Sequence, residues 1–105
     1  MPEFTQRFSL TGKTALVSGA SKGIGKEICR VLADAGADIA AVARDRDGLA
    51  EVKRTVEAMG RRCLAIEADL ATVDGPTRAA RAALEALGGI DILVNNAGVT
   101  AIESI

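Results

Sequence analysis

Short apolar runs alternate with helical periodicity along this chain, and that alternation constrains the fold more than any other feature. Four runs predict β-strands: Thr14–Ser18, Asp38–Ala43, Cys63–Glu67 and Ile90–Val94. The segments between them repeat apolar residues every three or four positions. These stripes are Ile24, Ile28, Val31, Leu32 and Ala35, then Leu49, Val52, Val56 and Met59, then Ala80, Leu84 and Leu87. The predicted element order is therefore βαβαβαβ.

Strands that are separated by helices pair in parallel, with the helices packed on the faces of the sheet. Right-handed crossovers leave few topologies for four such strands, and we predict the order 3-2-1-4. The sequence thus predicts an α/β fold, the first half of a doubly wound parallel sheet in a three-layer αβα architecture. The last strand would present an apolar edge, which invites pairing with another strand. We expect the front part of a longer chain, with a small complete domain as the alternative.

A glycine-rich turn joins the first strand to the first helix. The segment Ser18–Gly25 has the spacing G-x-x-x-G-x-G at Gly19, Gly23 and Gly25. We interpret the first glycine as the sharp turn, the second as an approach for backbone to a pyrophosphate, and the third as a close helix–strand contact. The helix start would direct free N–H groups at the phosphates, and Ser21 would add a hydroxyl donor. The pattern predicts a Rossmann-type dinucleotide site, with a ligand-free glycine turn as the alternative.

A phosphate-loop nucleotide triphosphatase is the main competing interpretation of these glycines. That motif requires Gly six positions before the lysine of a Gly-Lys pair, followed by Ser or Thr. Here Ala20 lies six positions before Lys26, and Glu27 follows it. The sequence therefore excludes that motif.

Charge and cysteine content narrow the other function classes. The formal net charge is -1, which argues against a nucleic-acid partner or an anionic membrane surface. No apolar run approaches the length of a membrane span, and the first residues lack a signal pattern, so we predict a cytoplasmic protein. The two cysteines, Cys29 and Cys63, lie far from any second Cys or His at metal spacing. We interpret them as reduced core residues and predict no metal site.

The chain resembles the N-terminal part of a classical short-chain dehydrogenase/reductase. The resemblance rests on Ser18–Gly25, on the pair Asp69-Leu70, and on the run Asn95-Asn96-Ala97-Gly98 directly after the fourth strand. It extends from about Phe8 to Gly98, and its one departure is Ser18, where the family usually has Thr. The resemblance implies a partial NAD(P)-binding Rossmann domain over residues 1–105, from a chain of about 250 residues.

The resemblance also implies roles for the matched positions. Asp69 would accept a hydrogen bond from the adenine amino group, with a strand-end turn or helix cap as the alternative, and Leu70 would wall the adenine. Asn95 would brace the sheet beside the cofactor. Ala97 and Gly98 would pass close to the nicotinamide ribose, or form a plain turn. The predicted cofactor-binding residues are Gly19, Ser21, Lys22, Gly23, Ile24, Gly25, Arg44, Asp69, Leu70, Asn95, Ala97 and Gly98.

The end of the second strand bears on the choice between NAD and NADP. An acid there binds the ribose 2′-hydroxyl of NAD, whereas an arginine accommodates the 2′-phosphate of NADP. The strand ends at Ala43, which offers no acceptor, and Arg44 follows it. With Lys22 nearby, two cations would suit a phosphate. We predict NADP rather than NAD, interpret Asp45 and Asp47 as helix caps, and keep a solvated loop charge as the alternative for Arg44.

The chemistry implied by the family is hydride transfer between the nicotinamide and a carbonyl or alcohol substrate. The family supplies the proton with a Tyr, aided by Lys, Ser and Asn, and this chain contains no Tyr, His or Trp. We therefore assign no catalytic residue here and expect the chain alone to be inactive, with a homo-oligomer implied for the full-length protein. A stand-alone nucleotide-binding or interaction module without catalysis is the alternative function.

Overall fold

The computed structural model describes residues 9–96, which form a four-stranded parallel sheet with three helices. The strands are β1 (Thr14–Ser18), β2 (Asp38–Ala43), β3 (Cys63–Glu67) and β4 (Ile92–Val94). The helices are α1 (Gly23–Asp34), α2 (Arg46–Ala58) and α3 (Gly75–Leu87). The strand order is β3-β2-β1-β4, which confirms the predicted topology.

The fourth strand is shorter than the sequence predicts, because it begins at Ile92 rather than at Ile90. Asp91 replaces part of the ladder: its backbone N–H donates to the Thr14 carbonyl at 2.8 Å, and its Oδ2 accepts from the Thr14 N–H at 2.9 Å. A side-chain acceptor thus closes the start of β1, and regular pairing begins one residue later, with Ala15 opposite Ile92.

Alternate residues of the strands face two separate apolar cores. On one face, α1 and α2 cover a cluster that includes Val17, Ile39 and Val56, all of them buried. On the other face, α3 alone covers a smaller cluster around Leu16, Ala40 and Val42. Helices therefore lie on both faces of the sheet, as the predicted αβα layering requires.

Small residues form the buried stripe of two of the helices, which differs from the predicted apolar stripes. In α1 the buried residues are Gly25, Cys29 and Ala33, and in α3 they are Gly75, Ala79 and Ala83. The larger residues Ile24, Val31 and Leu84, which the periodicity placed on the buried face, are exposed by 73%, 51% and 52%. Small side chains let these helices lie close to the sheet, and the larger neighbours are displaced toward solvent.

Both cysteines are free and buried in the core under α1 and α2. Burial raises the pKa of the Cys29 thiol to about 12 and the pKa of the Cys63 thiol to about 11. The thiols are therefore protonated and unreactive at neutral pH, which agrees with the predicted role as small core residues.

Candidate functional site

An open groove of about 1100 Å³ runs along the carboxyl ends of the strands. The loops that leave β1, β2 and β3 all contribute to it, since parallel strands end at the same edge of the sheet. Its polar lining comes from residues in three loops and at the end of β4: Ser18, Ser21, Lys22, Arg44, Asp45, Asp69, Asn95 and Asn96. Open α/β sheets bind ligands at this edge, so the groove is the candidate site.

The glycine turn forms the wall of the groove between β1 and α1. Gly19 and Gly23 have φ angles of +61° and +51°, which side chains rarely adopt. The turn is held against β2 because the Ala20 N–H donates to the Val42 carbonyl at 3.1 Å. A Cβ atom on Gly25 would lie 1.9 Å from the Gly19 carbonyl oxygen. The turn can close onto the helix only because residue 25 is glycine.

The first turn of α1 is left without a side-chain cap among the described residues. Lys22 occupies the N-cap position with φ -145° and ψ 157°, the extended conformation of a capping residue, but its side chain makes no cap hydrogen bond. Space around Gly23 is also open, since a Cβ atom there would meet no described atom within 4 Å. The positive end of the helix and its first N–H groups are therefore accessible to an anion.

The end of β4 is tied to the glycine turn by hydroxyl and amide side chains. Ser18 Oγ donates to the Val94 carbonyl at 3.3 Å and lies 3.2 Å from Asn95 Oδ1. Asn96 Nδ2 donates to the Gly19 carbonyl at 3.3 Å. The geometry of Asn95 is compatible with its predicted role as a brace. No role was predicted for Asn96 from the sequence, although the repeated Asn directly after a strand was a signal that two amides could be used there.

Two cations lie on the groove near the end of β2. Lys22 and Arg44 both line it and are exposed. Neither side chain forms an ion pair within residues 9–96, whereas Lys26 pairs with Glu51 and Arg46 Nη2 lies 3.1 Å from Glu67 Oε1. Asp45 is the N-cap of α2, and its Oδ1 accepts from the Gly48 N–H at 3.2 Å. The predicted cap is confirmed for Asp45, whereas Asp47 lies in the first turn of α2 and is not its N-cap.

The loop between β3 and α3 places Asp69 and Leu70 on the groove. Asp69 is also a turn residue, because its Oδ1 accepts from the Ala71 N–H at 2.9 Å. The sequence left a turn and an adenine contact as alternatives, and the structure shows the turn. The adenine contact stays a prediction.

The groove brings together seven of the predicted residues: Gly19, Ser21, Lys22, Arg44, Asp69, Leu70 and Asn95. Three others stand apart from its lining. Gly25 is buried beneath the turn, the Ile24 side chain is exposed, and Gly23 borders a small crevice of about 90 Å³ between α1 and α2. Ala97 and Gly98 lie outside the described residues. The binding roles of all twelve stay predictions.

Among residues 9–96, no group of three or more His, Cys, Asp or Glu side chains is placed to hold a metal ion. Within that range, no helix has the length and apolar character needed to cross a bilayer.

The sequence matches a family model described as short chain dehydrogenase over residues 13–105. It is 45% identical over 93 residues to the rhamnolipids biosynthesis 3-oxoacyl-[acyl-carrier-protein] reductase of Pseudomonas aeruginosa. That alignment covers 89% of this chain and 36% of the relative. The chain therefore spans about a third of the length of the curated relatives it matches.

Solved structures share the fold at recognisable sequence identity. L-Sorbose reductase from Gluconobacter frateurii, complexed with NADPH and L-sorbose, superposes with a TM-score of 0.82 at 41% identity, covering 88% of this chain and 35% of that one. Carveol dehydrogenase from Mycobacterium avium, in complex with NAD, gives a TM-score of 0.81 at 32% identity, covering 86% and 37%. The two differ in the nicotinamide cofactor that they hold.

Proposed function

Because the chain belongs to the short-chain dehydrogenase family, we propose that it is the cofactor-binding portion of an NADP-dependent oxidoreductase. That enzyme would transfer hydride between the nicotinamide and a carbonyl or alcohol substrate. One observation carries the proposal: Lys22, the N-cap residue of the uncapped helix α1, lines the groove together with Arg44, and neither cation forms an ion pair within the described residues. The helix start and these cations are complementary to a diphosphate and to a third phosphate on the ribose.

Several described residues are suited to bind the pyrophosphate and the adenine of NADP. The accessible N–H groups at the start of α1 would hold the pyrophosphate, and the open space at Gly23 admits its approach. Leu70 and Asp69 would hold the adenine. The bound cofactor supplies the hydride, and these residues bind and orient it.

The local charges support NADP over NAD. Ala43 at the end of β2 has no side-chain acceptor for a ribose hydroxyl, and Asp45, two residues further on, serves as the N-cap of α2. Arg44 lines the groove without an ion-pair partner inside residues 9–96, and Lys22 lies on the same groove. A guanidinium and an ammonium group would neutralise a 2′-phosphate, which the ribose of NAD lacks.

The proposed activity of the whole protein needs residues beyond those that the structure describes. We propose that residues 1–105 belong to a longer chain, since the relatives are about three times as long. The proton-transfer residues and the substrate contacts would then come from the rest of that chain, and residues 1–105 alone should show no turnover. A cytoplasmic location and a homo-oligomeric state stay predictions from the sequence.

The test is a calorimetric titration of the full-length protein with NADPH and, separately, with NADH. Wild type should bind NADPH more tightly, and Arg44→Ala should weaken NADPH binding about 10- to 100-fold, because a charge-assisted contact is lost. Binding of NADH should hardly change. Arg54→Ala, which removes an exposed arginine of α2 away from the groove, is the matched control.

Tighter binding of NADH by wild type, or an unchanged preference in Arg44→Ala, would contradict the assignment to NADP. Binding of NADPH with no turnover of any ketone or secondary alcohol by the full-length protein would favour the binding module instead.

A further inference from the structure

The loop between β3 and α3 contains a hydrogen-bonded bracket centred on Thr72, a residue for which the sequence predicted no role. It begins where β3 ends, and the Ala68 N–H there donates to the Ala43 carbonyl at 3.0 Å, which fixes the start of the loop to β2. Asp69 follows at once and faces the groove. The bracket consists of Asp69, Thr72 and Gly75.

Thr72 makes three of the hydrogen bonds in this bracket. Its N–H and its Oγ1 both donate to the Asp69 carbonyl, at 3.1 Å and 2.7 Å. The same hydroxyl oxygen accepts from the Gly75 N–H at 3.1 Å. One hydroxyl therefore joins the backbone of Asp69 to the first residue of α3.

Gly75 closes the bracket from the other side. A Cβ atom at this position would lie 2.0 Å from the Asp69 carbonyl oxygen and 2.7 Å from Thr72 Oγ1. The helix start thus lies in direct contact with the backbone of Asp69. Asp69 is held from both directions, while its Oδ1 is occupied by the Ala71 N–H.

We infer that Thr72 is a positioning residue for the adenine end of the cofactor, acting through Asp69. This inference rests on the proposed function. Thr72 itself is exposed and does not line the groove, so it would not touch the nucleotide. Its hydroxyl sets the position of the Asp69 backbone and thereby the direction of the carboxylate. The adjacent Val73 is fully exposed at 101%, so hydrogen bonds rather than apolar burial hold this part of the loop.

The experiment compares wild type, Thr72→Val and Thr72→Ser in the full-length protein. Valine keeps the shape of threonine and removes the hydroxyl, whereas serine keeps the hydroxyl. We expect Thr72→Val to weaken NADPH binding about 3- to 10-fold, and Thr72→Ser to bind as wild type does. Binding of reduced nicotinamide mononucleotide, which lacks the adenosine half, should be the same in all three proteins.

A double-mutant cycle with Asp69→Ala, which removes the acceptor that the adenine amino group would use, gives a second readout. If Thr72 acts through Asp69, Thr72→Val should weaken NADPH binding much less in the Asp69→Ala background than in wild type. An unchanged affinity in Thr72→Val would overturn the inference, as would an equal loss for NADPH and the mononucleotide. Additive effects in the cycle would overturn it too. Failure of wild type to bind NADPH would instead overturn the proposed function.

Discussion

The junctions β1–α1 and β2–α2 have similar backbone organisation but differ in how the first turn of the helix is capped. Each strand ends at the groove, and each helix has glycine as its third residue, Gly25 in α1 and Gly48 in α2. At α2, Asp45 caps the helix and Asp47 adds an acid to the first turn. At α1, a lysine without a cap hydrogen bond occupies the N-cap, and the described first turn contains no acid.

An N-terminal amide of α2 is satisfied by a side chain of the protein, whereas those of α1 remain accessible to a ligand. Asp45 satisfies an amide of α2 and complements its positive end, which stabilises the protein without any partner. The amides of α1 receive no such side chain and face open space at Gly23. We infer that the first junction gives up about 1 kcal/mol of capping stability to keep its amides accessible.

The equivalent glycines should respond very differently to alanine, and this is the largest effect we expect. Gly25→Ala would place Cβ 1.9 Å from a backbone oxygen, and backbone cannot rotate away. It should lower the free energy of unfolding by about 3 kcal/mol. In Gly48→Ala, the new Cβ would lie 2.7 Å from Asp45 Oδ2, which can rotate away, and 2.7 Å from Ser21 Cβ, which moves only with its backbone. Alanine favours helix over glycine by about 1 kcal/mol, which offsets part of this clash, so the net cost should be about 1 kcal/mol.

Urea unfolding monitored by circular dichroism would measure both glycine variants. Equal losses for Gly25→Ala and Gly48→Ala would show that the close contact of turn and helix is not specific to the first junction.

Removing the cap of α2 should have an intermediate effect. Asp45→Ala loses the bond from Oδ1 to the Gly48 N–H, so the free energy of unfolding should fall by about 1 kcal/mol. Asp47→Ala is the control, because this acid lies in the first turn without serving as the N-cap. The same urea titrations apply. A loss in Asp47→Ala as large as that in Asp45→Ala would assign the effect to the charge alone.

Giving α1 the missing cap should produce the smallest change in stability, and one of opposite sign. Lys22 already has the backbone angles of a capping residue, so Lys22→Asp should raise the free energy of unfolding by about 0.5 kcal/mol. The same change should weaken NADPH binding, because the new carboxylate competes for the amides and repels phosphate. Lys22→Ala separates the two contributions, since it removes the cation without adding a cap. Tighter NADPH binding by Lys22→Asp would contradict our account of this junction.

The sequence predicted the strands better than the helix faces. Apolar runs bounded by glycine and charge located β1, β2 and β3 at their observed bounds. In β1 and β2 the apolar run reflects burial on both faces of the sheet. In α3 the pattern selected Leu84, which is exposed, over Ala79 and Ala83, which are buried. Periodicity weights residues by hydrophobicity, while close helix packing selects them by size. The sequence also did not predict that β4 begins only at Ile92. There the Asp91 carboxylate accepts the hydrogen bond from the Thr14 N–H that a backbone carbonyl would otherwise accept.

The residues that line the candidate site could be predicted from the sequence, but the hydrogen bonds between them could not. Glycine spacing and the residues after each strand identified what borders the groove, since strand ends meet at one edge. The bond from Asn96 to Gly19 and the bracket around Thr72 depend on side-chain directions and on contacts across loops. Sequence spacing does not specify those contacts. An Asn or Thr in a loop has many possible local partners, and only the fold selects one.

The position of β1 beside β4 has a consequence for the rate at which the site can assemble. Ala15 pairs with Ile92, and Asn96 reaches back to Gly19, so the glycine turn is completed by contacts between residues 77 positions apart. Closing a longer loop costs more conformational entropy, and proteins whose contacts lie far apart in sequence fold more slowly. The pairing of β1 with β2 spans far less chain. A newly folding molecule would therefore acquire most of its sheet before the turn is secured from the β4 side.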